Sequence, residues 1–300
     1  MTIPVFYCPG CGHKAHGALW RQFPKAVVAM LKTSAFQPIN TIPTEALKRV
    51  RVLLTDIDDT LTTDGRLTAD AYGAMERLEN ACIAVAPVTG RPAGWCDHIA
   101  RMWPVAGVIG ENGALYFRYD RADRSMHRVY AQNDTTRAAN RKRLEAIATD
   151  ILAAVPGAAI SADQFTREVD LAIDFCEDVP PLSEIDIAQI VEHFKAAGAT
   201  AKISSIHVNG WFGDHDKLTM AQRFLADVLS IDATVETDSV AFIGDSPNDE
   251  RMWEHFALGV GVANANRFRA QLTTPPAYVA TREGGSGFAE FAEIMLNAVK

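Results

Sequence analysis

The chain of 300 residues is longer than one hydrophobic core usually organises, which predicts two domains or one domain carrying an insertion. Apolar residues make up 48% of the chain and charged residues 22%, a composition that excludes global disorder and fibrous structure. The formal net charge of -8 would repel a phosphate backbone, so we expect no nucleic-acid partner. No apolar run approaches the roughly 20 residues of a membrane-spanning helix, so we expect no membrane partner either.

The cysteines are five, an odd number, and no secretory signal precedes them. We therefore expect reduced thiols and a cytoplasmic location. Four potential zinc ligands lie close together near the N-terminus: Cys8, Cys11, His13 and His16. Because so short a segment is sterically tight for a tetrahedral site, we expect a reduced cysteine pair, with structural zinc as the alternative. The surrounding residues 1–46 form a proline-rich extension, expected to be packed on the core or partly loose.

From about Val50 the chain alternates short apolar runs with helical patterns, which predicts βαβ units and a parallel sheet buried on both faces. In chain order we predict a strand at 51–56, a helix capped by Thr68, a strand at 83–89, a helix opened by Pro92 and a strand at 105–109.

The middle of the chain follows a different pattern. Apolar residues at every second position of 169–175 predict an antiparallel strand whose other side, with Asp170 and Asp174, faces solvent. Further strands are predicted at 116–119, 128–131 and 202–208, with helices at 136–155 and 183–197 covering one side of that sheet. The first pattern then returns, with a helix at 217–229, a strand at 239–244, a helix ending at 256, a strand at 259–262 and a helix from 288.

The predicted fold class is therefore α/β: a Rossmann-like parallel-sheet core interrupted by an α+β insertion. The predicted domains are an N-terminal extension at 1–46, a core formed by 47–114 together with 212–300, and an inserted domain at 115–211.

Candidate functional residues follow the predicted core strands. The segment LLTDIDDTLTTD ends a buried strand in two carboxylates, Asp56 and Asp58, and ligands of open α/β sheets bind beyond such strand ends. The segment GDSPND ends another strand, and there Asp245 and Asp249 flank Asn248.

Two further segments provide groups suited to an anion. Thr89 offers a hydroxyl donor, and Gly90 lets backbone N–H groups approach an anion closely. Lys217 starts a helix after the insertion and adds a point charge suited to phosphate. Because all these segments end strands or begin helices of one predicted domain, they indicate one site.

The segments DIDDTLT, VTGR, DK and GDSPND together resemble the four motifs of the haloacid dehalogenase (HAD) superfamily. The insertion lies between the second and third motifs, as in members with a large α+β cap. ENG at 111–113 and VGVANA, ending at Ala265, resemble the Cof-like and sucrose-phosphatase-like branch. The resemblance runs from Val50 to the C-terminus.

The resemblance implies a mechanism. Asp56 is the expected nucleophile, which takes a phosphoryl group as an aspartyl phosphate, and Asp58 is the expected acid and then base. The expected metal ligands are the side chains of Asp56 and Asp245 and the backbone carbonyl of Asp58, with Asp249 supporting them. So many carboxylates beside a phosphate dianion require a cation, and oxygen ligands favour Mg²⁺.

The expected phosphate ligands are Thr89, Gly90, Lys217, Asn248 and the backbone N–H of Ile57. Substrate contacts are expected from Arg91, Arg167, His207 and Asn209, which lie just after the second motif or within the inserted domain.

The expected function is a Mg²⁺-dependent phosphatase acting on a small phosphorylated metabolite, in the first place a phosphosugar. One alternative is a phosphomannomutase-like phosphosugar mutase, which would bind a second phosphate on the inserted domain, where a basic run extends from Arg118 to Arg143. Another is a non-catalytic ligand-binding protein of the same fold. The substrate and the oligomeric state are left open by the sequence.

Overall fold

The structure is a computed structural model that describes residues 36–204 and 206–300. The potential zinc ligands Cys8, Cys11, His13 and His16 lie outside the described residues. The described residues divide into two compact units, the first containing 36–87, 104–106 and 225–300, and the second containing 88–103 and the described part of 107–224. The domain boundaries drawn from the sequence stay a prediction.

The strands are β1 (Gln37–Pro38), β2 (Val52–Thr55), β3 (Thr62–Thr63), β4 (Arg66–Leu67), β5 (Ala84–Pro87), β6 (Val108–Gly110), β7 (Leu115–Asp120), β8 (Ser125–Tyr130), β9 (Ala159–Ile160), β10 (Leu171–Asp174), β11 (Thr200–Ile203), β12 (His207–Trp211), β13 (Val240–Gly244), β14 (Leu258–Gly261) and β15 (Tyr278–Val279). The α-helices are α1 (Thr44–Leu47), α2 (Ala69–Asn80), α3 (Ala93–Met102), α4 (Asp134–Ala154), α5 (Glu184–Ala196), α6 (Lys217–Leu229), α7 (Glu250–His255) and α8 (Gly284–Val299).

The first unit is built on a six-stranded sheet of order β1-β15-β14-β13-β2-β5, in which every neighbouring pair is parallel. The residues of β2, β13 and β14 are all buried, as expected of central strands covered on both faces. Helix α2 begins where predicted, because the Thr68 hydroxyl accepts the N–H of Ala71. The predicted α/β fold class is confirmed.

The described part of the N-terminal extension packs on this sheet. Residues Gln37–Pro38 form the edge strand β1 beside β15, a position that suits proline because an edge strand leaves one side without ladder bonds. Ile39 and Ile42 follow and are buried.

The second unit contains two antiparallel sheets, of order β6-β7-β8 and β11-β12-β10-β9. Helices α4 and α5 bury their apolar faces against β10 and β12, in a core that includes Ile151, Ile173, Phe194 and Val208. Ser183 caps α5 through a capping box with Asp186. The two predicted helices of the insertion are confirmed with shifts of one to two residues at their ends.

The strand predicted at 105–109 is β6, which pairs antiparallel with β7 in a separate three-stranded sheet, while its Ile109 also forms a parallel bridge with Val88. Three other strand predictions for this region are wrong in part. The strands predicted at 116–119 and 128–131 form this separate sheet with β6 and do not join β10. The single strand predicted at 202–208 is the hairpin of β11 and β12, turned where Ser204 Oγ accepts the N–H of His207 at 2.9 Å.

The predicted solvent-facing side of β10 is also wrong, because Asp170 and Asp174 are buried. Asp174 Oδ1 accepts the N–H groups of Cys176 and Glu177, and its Oδ2 accepts that of Asp178. Asp170 pairs with Arg167. A buried carboxylate is tolerated when it is hydrogen-bonded in this way, so alternation of charge does not by itself show exposure.

In the described part of the chain no helix combines the length and the apolar character needed to cross a bilayer. Among the described residues, the buried Cys96 is a free thiol.

Candidate active site

Two of the candidate metal ligands directly follow neighbouring strands of the first unit. β2 and β13 are neighbours, with Thr55 opposite Ile243, and the Asp56 N–H donates to the Ile243 carbonyl at 2.9 Å. Asp245 directly follows β13. The parallel pairing therefore brings Asp56 and Asp245 to the carboxyl edge of the sheet, where both are buried.

Asp249 joins these two carboxylates from the short 3-10 helix Pro247–Asp249. Its Oδ2 accepts the N–H of Asp245 at 3.1 Å and that of Ser246 at 3.5 Å. One carboxylate oxygen each of Asp56, Asp245 and Asp249 lie within 4.8 Å of one another.

Three buried carboxylates at this separation repel one another, and a divalent cation removes that repulsion. Oxygen donors of this kind suit a hard cation such as Mg²⁺. The residues present therefore fit a divalent metal, and Asp56, Asp245 and Asp249 would hold it.

The Asp58 carboxylate is not part of this cluster, consistent with an expected contribution from its backbone carbonyl, and the side chain is half-buried. The loop that carries it is tied at Ile57, whose carbonyl accepts the N–H groups of Thr60, Leu61 and Thr62. Asn248 Oδ1 accepts the Ser246 hydroxyl at 3.1 Å, which orients the amide at the start of the 3-10 helix.

Asn264 is a site residue for which the sequence analysis gave no role. Its Nδ2 donates to the Asp59 carbonyl at 2.8 Å and lies 3.4 Å from Asp245 Oδ2, while its Oδ1 accepts the N–H of Gly284. The side chain thus links the Asp56–Asp59 loop to the Asp245 carboxylate. The signal was present, because Asn264 lies in VGVANA just after β14.

The second unit holds the other expected phosphate ligands. Thr89 is fully buried, its N–H donates to the Ile109 carbonyl, and its hydroxyl oxygen accepts the Arg91 N–H at 3.0 Å. The single hydroxyl proton of Thr89 is therefore left to donate elsewhere. Lys217 begins α6 and is buried.

The expected substrate contacts Arg91, Arg167, His207 and Asn209 form one buried polar network with acidic residues of the same unit. Both terminal nitrogens of Arg91 lie 3.1 Å from Glu177 Oε1, and His207 Nε2 lies 2.9 Å from Glu177 Oε2. The hydrogen bond from His207 and the charge of Arg91 lower the pKa of Glu177 to about 2.

Arg167 and Asn209 converge on Asp170 in this network. Arg167 Nη1 donates to Asp170 Oδ1 and to the Gly90 carbonyl, both at 2.9 Å, and its Nε donates to Asp163. Asn209 Nδ2 donates to Asp170 Oδ2 at 3.1 Å. Glu177 was missed because Arg91 and His207 are far from it in sequence, and Asp170 was missed because it was expected to face solvent.

His215, two residues before Lys217, is also a buried titratable residue. Its ring stacks on Trp211 with centroids 5.7 Å apart, and neither ring nitrogen has a hydrogen-bond partner among the described residues. Burial lowers the pKa of His215 to about 4, against the opposing charges of Asp170 and Asp214. The imidazole is therefore neutral at physiological pH.

No protein-family model matches the chain, and no curated protein sequence matches it. Its fold does match solved structures. One is a HAD/COF-like hydrolase from Plasmodium vivax, with a TM-score of 0.62 and 19% identity over 84% of this chain and 98% of that chain. Another is the sucrose-phosphatase from Synechocystis sp. PCC6803 in complex with sucrose and phosphate, with a TM-score of 0.55 and 17% identity over 79% of this chain and 93% of that chain.

A third is the HAD subclass IIB sugar phosphatase BT4131, with a TM-score of 0.54 and 14% identity over 77% of this chain and 93% of that chain. The chain therefore has the fold of HAD-like hydrolases, which includes Cof-like and sucrose-phosphatase structures. The resemblance drawn from the four motifs is confirmed at the level of the fold.

Proposed function

We propose that this protein is a Mg²⁺-dependent phosphatase that hydrolyses a small phosphorylated metabolite through an aspartyl phosphate. The observation that carries the proposal is the convergence of Asp56, Asp245 and Asp249 at the carboxyl edge of the parallel sheet. Burying three carboxylates together is costly, and a bound cation would compensate their charge.

In the proposed reaction an oxygen of Asp56 attacks the phosphorus, and the bond between phosphorus and the leaving oxygen breaks. Asp58 gives its proton to the leaving alkoxide, which departs as an alcohol. Asp58 then takes a proton from water, whose oxygen attacks the phosphorus and releases Asp56 and inorganic phosphate. Bound Mg²⁺ would neutralise charge on the carboxylates and on the phosphate oxygens.

The proposed phosphate ligands are the Thr89 hydroxyl, the backbone at Gly90 and Ile57, the Lys217 ammonium group and the Asn248 amide. Each can donate a hydrogen bond, and the charge on the phosphate oxygens rises as the phosphoryl group is transferred. The support is the four-motif resemblance together with the burial of Thr89 and Lys217.

The proposed substrate class is a phosphosugar. Two solved structures of the same fold are named as a sucrose-phosphatase and a sugar phosphatase, and the named activity belongs to those proteins. Arg91, His207 and Asn209 are the proposed contacts, because hydroxyl-rich leaving groups are recognised by polar side chains of fixed orientation. The free thiol of Cys96 supports a cytoplasmic location.

The mutase alternative is not favoured, because three of the arginines that could bind a second phosphate pair with carboxylates. Arg167 has a side chain only 1% exposed and pairs with Asp163 and Asp170. Arg118 pairs with Asp120, and Arg128 pairs with Asp97 at 2.6 Å.

The test is inorganic phosphate release from a panel of phosphorylated metabolites, with Mg²⁺ and with EDTA. We expect release from one or more sugar monophosphates, without any added bisphosphate, and loss of release in EDTA. Asp56→Asn is expected to abolish release, because the near-isosteric amide cannot attack phosphorus. The matched control is Asp64→Asn, the same change at an exposed position in the turn between β3 and β4.

Equal release of inorganic phosphate by wild-type and Asp56→Asn protein would refute the assignment of Asp56 as the nucleophile. If the protein interconverts sugar phosphates only when a bisphosphate is added, and releases negligible inorganic phosphate, the mutase function is supported and the phosphatase function is refuted.

A further inference from the structure

The turn Glu111–Gly113 lies against both of the loops that carry candidate phosphate ligands in the second unit. The Glu111 N–H donates to the Arg91 carbonyl and the Asn112 N–H donates to the Thr89 carbonyl, both at 3.0 Å. These two bonds hold the backbone on either side of Gly90. On the other side of the turn, a Cβ added at Gly113 would lie 2.8 Å from the backbone nitrogen of Lys217.

The turn has a backbone conformation that is costly for two of its residues. Glu111 and Asn112 have φ values of 46° and 55°, and Gly113 has a φ of 95°. Non-glycine residues are strained in this region of φ and persist there where the surroundings hold them.

The Glu111 carboxylate supplies that support. It is fully buried, and its oxygens accept the N–H groups of Ala93, Glu168, Val169 and Asp170 at 2.6 to 3.1 Å. These four hydrogen bonds, all accepted by Glu111, hold the turn in place and thereby fix the position of Asn112.

The Asn112 side chain lies beside the loop at Gly90. The residue is only 6% exposed, and its Nδ2 is buried with no hydrogen-bond partner in the described parts of the chain. A Cβ added at Gly90 would lie 3.2 Å from this Nδ2, so the amide stands directly beside the residue that has no side chain. A buried donor without a partner is destabilising, and a ligand that accepts a hydrogen bond at this position would remove that cost.

The neighbours of this donor indicate the chemistry of its ligand. The Thr89 hydroxyl, with one proton left to donate, and the Gly90 backbone belong to the segment proposed above to bind phosphate. We propose that Asn112 is a further phosphate ligand, whose Nδ2 donates a hydrogen bond to a phosphoryl oxygen held at the Gly90 loop. This inference rests on the proposed function, which places phosphate at that loop.

The test is calorimetric titration of the full chain with inorganic phosphate in the presence of Mg²⁺, together with the KM for a phosphate ester. Asn112→Asp keeps the shape and tolerates the positive φ, but it replaces the donor by a carboxylate that repels the anion. We expect the phosphate dissociation constant and KM to rise about tenfold or more, since hydrogen bonds to charged groups are strong.

A second variant separates loss of the donor from added charge. Asn112→Gly suits the positive φ and introduces no carboxylate, so it is expected to fold and to weaken phosphate binding about three- to tenfold. The matched control is Asn133→Asp, the same change at an exposed residue whose side chain caps α4, a role that aspartate fills equally well. This control is expected to bind phosphate as the wild type does.

The outcomes separate this inference from the proposed function. Phosphate binding within twofold of wild type in both Asn112 variants, or no phosphate binding by the wild type, overturns the role of Asn112. Wild-type protein that binds phosphate through Asn112 but hydrolyses no ester contradicts the proposed function and leaves the Asn112 contact standing.

Discussion

Gly244→Ala tests whether the carboxylate cluster depends on a glycine at the end of β13. A Cβ added there would lie 2.7 Å from Asp249 Cγ, closer still to Oδ2, and 3.0 Å from the Phe242 ring. Carbon atoms in ordinary contact are about 3.5 to 4 Å apart, so the Asp249 carboxylate must move by about 1 Å. It has little freedom to do so, because its Oδ2 accepts two backbone N–H groups.

The expected cost follows from those two bonds. Hydrogen bonds to a charged group contribute about 1.5 to 3 kcal/mol each, so partial loss of both lowers the free energy of unfolding by about 3 kcal/mol. Displacing one of three carboxylates also weakens divalent metal binding about tenfold or more. We therefore expect a lower urea midpoint, a smaller stabilisation by added Mg²⁺, and kcat/KM reduced about tenfold or more.

The control is Gly73→Ala in α2, where the added Cβ meets only the flexible end of Arg77 at 3.3 Å. Alanine is the better helix former, so this variant is expected to gain about 0.5 to 1 kcal/mol. A Gly244→Ala protein with wild-type stabilisation by Mg²⁺ and wild-type kcat/KM would refute the packing argument.

Two further predictions concern Asp58 and His215. Asp58→Asn is expected to slow the hydrolysis of a sugar phosphate far more than that of p-nitrophenyl phosphate, whose leaving group needs little protonation; equal losses of kcat/KM would remove Asp58 from the acid role. The unfolded His215 side chain titrates near 6.5 and the folded one at about 4, so the unfolded chain binds more protons in this window. The contribution of neutral His215 to the free energy of unfolding is fully present above pH 6.5. As the pH falls from 6.5 to 4, the free energy of unfolding is expected to drop by up to about 3 kcal/mol. His215→Phe retains a ring on Trp211 and is expected to flatten this part of the stability profile in urea unfolding; superimposable pH profiles would contradict the assignment.

The parallel sheet and the strand ends of the first unit could be predicted from the sequence. β2 and β13 are short apolar runs that end in Asp56 and Asp245, and buried parallel strands are recognisable because both faces are apolar. Local signals also located the helix starts, since Thr68 and Ser183 are capping residues whose effect extends over one turn.

Pairing between distant strands could not be predicted in the same way. The pattern at 105–109 is apolar in either setting, and it does not show that β6 pairs antiparallel with β7 as well as bridging in parallel to Val88. Asp170 is buried because Arg167 and Asn209 neutralise and orient it, and Asn209 is far away in sequence. By contrast, the burial of Asp174 had a local signal, because an aspartate that accepts N–H groups two and three residues later forms a turn.

Acid-quenched mass spectrometry most directly tests the central claim that Asp56 takes the phosphoryl group. Asp58→Asn protein is mixed with p-nitrophenyl phosphate and Mg²⁺, so that the covalent intermediate forms readily and its hydrolysis is slow. We predict one added phosphoryl group per chain, located by peptide mapping on Asp56 and absent when Asp56→Asn is combined with this change. Release of p-nitrophenol with no phosphoryl group on the chain, or with the group on another residue, would contradict the account.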